Sequence, residues 1–107
     1  MADNTEKVLT RTKNIIIAHQ ALNEILIALL DAGFTVFRSN PDGYWLNNKT
    51  NTKRYSINYF YINFSDNPDD VGVEVIADSV IGRERFNNFN SIVNDVINYV
   101  NELETQV

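Results

Sequence analysis

Residues 53–65 read KRYSINYFYINFS and form the longest uninterrupted β-strand pattern in the chain. Aromatic and β-branched side chains of this kind suit the pleated, half-buried surface of a sheet. Neither glycine nor proline interrupts the run. We therefore predict one long strand at the centre of a sheet, with the rest of the chain packed around it.

The phase of this strand has two solutions. In a regular strand Tyr55 and Ile57 lie on one face, and Phe60 and Ile62 lie on the other, so both faces carry aromatic side chains. A β-bulge near Tyr59 and Phe60 would instead bring both groups to the core side. The outward row would then be mostly polar: Ser56, Asn58, Tyr61 and Asn63.

The segments on either side of this strand also have strand patterns. Residues 34–47 predict a β-hairpin, with strands at 34–38 and 44–46 around the turn sequence Ser-Asn-Pro-Asp-Gly. Residues 66–70 predict another turn, and residues 71–77 a strand whose valines alternate with outward-facing Glu74 and Ile76.

Two helices are predicted at the ends of the chain. The first runs to about Ala32, where Gly33 is suited to the C-terminal cap, and we expect residues 1–11 before it to be flexible. The second runs from Arg83 or Glu84 to Glu104. Its apolar positions repeat at steps of three and four: Phe86, Phe89, Val93, Val96, Val100 and Leu103.

Together these elements predict a single α+β domain covering residues 1–107. Short connections require an antiparallel β-meander of three or four strands, in the order α-β-β-β-β-α. Because each helix has one dominant apolar face, both helices can cover the same face of the sheet, which gives a two-layer sandwich. The other face of the sheet is then open to water or to a partner.

Composition narrows the classes of function. The net charge of −5 argues against direct binding to nucleic acid or to an anionic membrane, and the chain has no cysteine. We expect a cytoplasmic protein without a membrane contact. The many asparagine and isoleucine residues indicate AT-rich coding and favour a bacterial, phage or plasmid origin.

The sequence contains no catalytic or metal-binding motif, so we predict no enzymatic activity and no cofactor. His19 is the only histidine, and no nucleophile or orienting acid is placed for it by the sequence. The acidic residues Asp66, Asp69 and Asp70 lack the spacing of a calcium loop and surround Pro68. We interpret His19 as a half-buried structural residue and the acidic segment as a solvated turn.

Three groups of side chains are candidate contact surfaces. The open sheet face would carry Phe37, Trp45, Tyr61 and Ile76, aromatic and apolar residues that either meet a protein partner, pack within the chain or stack on nucleic-acid bases. On the first helix Leu9, Ile16 and Ile27 line up outside the main apolar stripe, where they are covered by other segments of the chain or contact a subunit. The acidic candidates are Asp66, Asp69, Asp70 and Asp78.

The sequence thus favours a non-enzymatic protein-interaction module that forms a homo-oligomer, with a dimer preferred. One specific form is a small acidic accessory protein or inhibitor of a phage or mobile element, whose acidic turns meet a basic groove on a host protein. Two alternatives stay open. The first is a structural subunit of a larger homo-oligomeric assembly, and the second is a ligand-binding or enzymatic domain with a pocket between sheet and helices.

Overall fold

A computed structural model describes residues 2–61, 67–78 and 82–106. It contains two helices and five strands. In chain order they are α1 (Ala2–Asp31), β1 (Thr35–Asn40), β2 (Gly43–Asn47), β3 (Arg54–Tyr61), β4 (Val71–Ala77), β5 (Gly82–Phe86) and α2 (Ile92–Glu104).

The five strands form one antiparallel sheet in the order β1-β2-β3-β4-β5. The predicted two-layer α+β fold is confirmed, with five strands instead of three or four. The prediction of a central strand is also confirmed, because β3 has two strands on each side. Its neighbours β2 and β4 hydrogen-bond along its length, so β3 fixes the register of the sheet.

The additional strand is β5, which lies where the sequence predicted the start of the second helix. Residues 82–86 pair with β4, and α2 begins only at Ile92. Phe86 and Phe89 continue the three-and-four spacing of the helix, which explains the wrong prediction. Arg83 and Arg85 alternate along β5 and share one face, as residues two apart do in a strand.

Helix α1 begins earlier than expected and ends where predicted. It starts at Ala2, so residues 2–11 continue the helix. At the other end Gly33 has a positive φ of 99°, which favours glycine. The amides of Gly33 and Phe34 donate to the carbonyl oxygens of Leu30 and Leu29, each at 3.0 Å, in the pattern of a Schellman cap.

The core lies between the sheet and the two helices. On β3 and β4, Tyr55, Ile57, Val73 and Val75 are fully buried. Residues from both helices pack against them: Ala21, Leu22, Ile25, Leu26 and Leu29 from α1, and Ile92, Val96, Val100 and Leu103 from α2. The helices therefore cover one face of the sheet and leave the other uncovered.

The phase of the long strand is that of a regular strand, because each residue from Tyr55 to Tyr61 pairs in sequence with β4. The alternative with a bulge near Tyr59 and Phe60 is wrong. The irregularity lies instead in β1, between Val36 and Arg38, where the register shifts by one residue. Phe37 is the extra residue of this bulge.

Candidate interaction surface

The uncovered face of the sheet has a continuous row of side chains across all five strands. Arg38 lies opposite Trp45, Trp45 opposite Ser56, Ser56 opposite Ile76, and Ile76 opposite Arg83. Opposite residues in antiparallel strands point to the same face. The row therefore begins and ends with an arginine and has apolar side chains at Trp45 and Ile76.

The bulge in β1 adds a second aromatic side chain to this row. The Phe37 ring lies 6.5 Å from the Trp45 ring, measured between centroids. The guanidinium carbon of Arg54 lies 4.8 Å from the Phe37 centroid, a distance typical of a cation–π contact. Phe37 is 43% exposed, so the ring remains available to a partner although Arg54 covers part of it.

A second cluster lies beside the row, where Glu74 accepts hydrogen bonds from two arginines. Nε of Arg85 lies 2.7 Å from Oε2 of Glu74, and Nη2 of Arg83 lies 3.1 Å from the same oxygen. The side chain of Glu74 is only 10% exposed, whereas those of Arg83 and Arg85 are 62% and 52% exposed. The arginines therefore lie over the carboxylate and present their outer surfaces to solvent.

Electrostatics holds Glu74 in its charged form. Burial alone would raise the pKa of this carboxyl, but the hydrogen bonds and charges of Arg85 and Arg83 outweigh it and lower the pKa below the ordinary value. A charged carboxylate between two guanidinium groups keeps both arginines in place on the open face.

Phe60 extends the aromatic character of this cluster. Its ring lies next to Gly72, where an added Cβ would approach Phe60 Cε1 to 2.9 Å and the carbonyl oxygen of Phe86 to 2.1 Å. Glycine at this position therefore allows Phe60 to lie close to β4. Arg85 packs over the Phe60 ring at 4.8 Å, so both aromatic–arginine pairs of the surface have the same arrangement.

The charges of the protein are divided between its two sides. Four of the five arginines in the sequence, Arg38, Arg54, Arg83 and Arg85, lie on the open sheet face. Among the described residues of that face, Glu74 is the acid between Arg83 and Arg85. Asp78 follows the last residue of β4. A protein with a net charge of −5 thus has a locally basic and aromatic surface.

Three of the four predicted sheet-face residues, Phe37, Trp45 and Ile76, lie together on this open face. Tyr61 does not, and its predicted placement is wrong. Because β3 is regular, Tyr61 shares a face with Tyr59, and their rings stack with centroids 6.1 Å apart. Arg11 of α1 lies 6.0 Å from the Tyr61 ring. Tyr61 therefore belongs to the helix side, and Phe60 takes its place on the open face.

The predicted helix residues form an exposed line on α1. Leu9, Ile16 and Ile27 are 63%, 53% and 60% exposed. They lie on the side of α1 opposite the buried residues Ala18 and Ile25. The expectation that other segments of the chain cover them is not met within the described part of the protein.

The predicted acidic residues do not form one patch. Asp69 and Asp70 lie in the turn before β4, and Asp78 follows the last residue of the same strand. Eight residue steps of extended chain separate Asp70 from Asp78 by about 27 Å. Asp78 therefore does not share one patch with Asp69 and Asp70. Asp66 lies outside the described residues.

On the helix side, His19 and Tyr55 have defined contacts within the protein. His19 is exposed, and its ring packs edge-on against Tyr59 with centroids 4.1 Å apart, so the expected half-burial of His19 is wrong. The hydroxyl of Tyr55 donates to Glu104, and burial together with this carboxylate raises the pKa of Tyr55. Within the described residues, no three His, Cys, Asp or Glu side chains are grouped to hold a metal ion.

Asn48 joins the loop before β3 to the end of α2. Its Nδ2 donates to Glu104 Oε1 at 3.1 Å, and its Oδ1 accepts from the amides of Thr52 and Lys53 at 2.8 and 3.0 Å. Nζ of Lys53 donates to the carbonyl oxygens of Leu103 and Gln106. A cation at this helix end is favourable because the helix dipole is negative there. These bonds fix α2 against the sheet.

A cleft of about 390 Å³ lies between α1 and the start of α2, lined by residues such as Ile17, Glu24 and Phe89. It lies beside the helices, whereas the space between sheet and helices is filled by the core.

Residues Thr5–Asp31 of α1 are long and apolar enough for a membrane span by composition, which is weak evidence because core helices of soluble proteins also meet this criterion.

Neither a protein-family model, a curated protein nor a solved structure matches this chain. The chemistry of the open sheet face therefore indicates what it binds. Sequence reasoning missed Phe60, Arg83 and Arg85 as members of that face. The available signal was the pair of arginines in the first turn of a predicted helix, where the helix dipole disfavours positive charge.

Proposed function

We propose that this protein is a non-enzymatic interaction module that binds an acidic surface of another protein on the open face of its sheet. The observation that carries the proposal is the combination of Arg38, Arg54, Arg83 and Arg85 with Phe37, Trp45 and Phe60 on one uncovered face. Arginine and the large aromatic residues dominate the binding energy of protein interfaces.

The charge distribution favours an acidic partner over the basic one expected from net charge alone. Two arginines are already bound to Glu74, which leaves Arg38 and Arg54 to attract carboxylates. Guanidinium groups bind carboxylates in a planar, two-point geometry. Because Arg54 lies over Phe37, a partner that binds Arg54 also covers apolar surface.

A protein partner accounts for this surface better than nucleic acid does. Binding to the phosphate backbone needs many uncompensated cations, because each one displaces a counterion. Here two of the four arginines of the open face are neutralised by Glu74, and the chain as a whole has a net charge of −5. The open face resembles a protein interface, because it combines few cations with an apolar centre and with two aromatic rings that arginines partly cover.

The test is capture of proteins from an extract of the source cells by immobilised protein. The immobilised proteins are the wild type and the open-face variants Arg54→Glu and Trp45→Ala. Ile16→Glu, on α1, is the matched control. We expect one protein to be captured by the wild type and the control, and to be lost with both open-face variants. Nuclease treatment should leave this capture unchanged. Capture that disappears with nuclease, or that both open-face variants retain, would contradict the proposal.

A further inference from the structure

The outer side of α1 presents an apolar stripe along most of the helix. Leu9, Ile16, Asn23 and Leu30 follow one another at seven-residue intervals, and Ile27 lies beside them. A seven-residue step drifts only about 20° around a helix, so the four side chains keep to one side. The four large apolar residues of the stripe, Leu9, Ile16, Ile27 and Leu30, are each about half exposed or more.

The two flanks of this stripe differ in charge. Lys13 and Glu24 are eleven residues apart, about three helical turns, and therefore lie on the same flank. Both are exposed, and neither forms an ion pair within the described residues. The opposite flank carries Val8, Thr12 and His19, and no Lys, Arg, Asp or Glu among the described residues.

We infer that α1 pairs with α1 of a second copy of this chain, antiparallel, around a two-fold axis between His19 and Gln20. In this register Leu9 faces Leu30 of the second copy, Ile16 faces Asn23, and Thr12 faces Ile27. Each exposed apolar residue of the stripe is thereby covered by the other helix. The contact runs from Leu9 to Leu30, about 32 Å at 1.5 Å per residue.

The contact between Lys13 and Glu24 near the middle of the pair favours the antiparallel direction. In a two-fold antiparallel pair each flank meets the same flank of the other helix. Lys13 then lies within two residues, about 3 Å along the axis, of the level of Glu24 in the second copy, and the contact occurs twice. A parallel pair would stack Asn23 on Asn23 and place Lys13 against the flank without an acid.

The same register brings Glu6 within two residues, about 3 Å along the axis, of the level of Asp31 in the second copy, at each end of the pair. These two acids repel each other, although solvent at the exposed ends screens the repulsion. A charge reversal at these ends is therefore expected to have the opposite effect on self-association from a charge reversal at Lys13 or Glu24. Glu6→Lys should strengthen self-association, because the new lysine lies beside Asp31 of the second copy.

Sedimentation equilibrium over a range of protein concentration tests this inference. We expect a monomer–dimer equilibrium for the wild type, and dissociation constants raised by at least about tenfold for Ile16→Glu, Lys13→Glu and Glu24→Lys. The double variant Lys13→Glu/Glu24→Lys should regain the wild-type value. Phe37→Glu, on the open sheet face, is the matched control and should leave the equilibrium unchanged.

Each departure from this pattern overturns the inference. A wild type that stays monomeric, an Ile16→Glu variant that still dimerises, or a double variant that fails to recover would each contradict the antiparallel helix pair. Sedimentation with vesicles of phosphatidylcholine and phosphatidylserine separates the membrane alternative. Vesicle binding by a monomeric wild type, abolished by Ile16→Glu, would assign the stripe to a lipid surface instead.

Discussion

The two faces of the sheet are built from alternate residues of the same strands and have opposite chemistry. On β4, Val73 and Val75 are fully buried by the helices, while Glu74 between them is held by two arginines on the open face. The net charge of −5 arises from the helices and turns and gives no indication of the basic open face. The charge of a whole chain therefore does not predict the partner of one face.

The largest expected effect separates the two faces by removing one isoleucine from each. Ile57 is fully buried against the helices, and Ile76 lies on the open face of the neighbouring strand. Ile57→Ala should lower the free energy of unfolding by about 2–5 kcal/mol, because it leaves a cavity in a packed core. Ile76→Ala should lower it by less than about 1 kcal/mol. Urea unfolding followed by circular dichroism measures both values.

The matched pair also tests the assignment of the core. Similar losses for the two variants would mean that the open face is covered in solution. Unfolding of Ile76→Ala at different protein concentrations would then show whether a second copy provides the cover, because stability shared between subunits depends on concentration.

Much of this arrangement could be predicted from local sequence patterns. The alternation of β4 predicted both its bounds and the outward placement of Glu74 and Ile76, since period-two hydrophobicity is a direct signature of a half-buried strand. The turn sequence before Gly43 predicted the hairpin of β1 and β2. Gly33 marked the end of α1.

The open face was harder to predict because its chemistry depends on pairing. Residues 53–65 are aromatic in both phases, so the sequence did not decide which face Phe60 or Tyr61 would occupy. The bulge at Phe37 depends on the register between β1 and β2. The strand β5 is stabilised by pairing with β4 and by the contacts of its arginines with Glu74. These are long-range contacts, whereas the spacing of Phe86 and Phe89 is a local pattern that predicts a helix.

A smaller effect is expected from Glu74→Gln, which keeps the shape of the side chain and removes its charge. Two arginines lose their carboxylate, and the free energy of unfolding should fall by about 1–2 kcal/mol, limited because solvent screens the half-exposed guanidinium groups. Glu84→Gln is the matched control, because Glu84 is an exposed residue of β5 that forms no ion pair within the described residues. A variant as stable as the wild type would show that Glu74 contributes no net stability.

The effect of Glu74→Gln should depend on pH with a definite sign. The pKa of Glu74 is lower in the folded protein than its ordinary value of 4.5. Stabilisation by this carboxylate is therefore fully present above the ordinary pKa and is lost as the pH falls through the lowered pKa of the folded state. Urea unfolding of the wild type and the variant should differ by a constant amount at neutral pH, and the difference should disappear in acid. A difference that grows on acidification would contradict this assignment.

The smallest expected effect distinguishes two aromatic residues of equal exposure on opposite faces. Phe37 and Tyr61 are 43% and 44% exposed, but only Phe37 contacts the single tryptophan, Trp45. Phe37→Ala should change the unfolding free energy by less than about 1 kcal/mol and shift the emission of Trp45 to longer wavelength, because the indole becomes more exposed. Tyr61→Ala should leave the emission unchanged. A larger shift from Tyr61→Ala would place Tyr61 and Trp45 on the same face and so contradict the regular phase of β3.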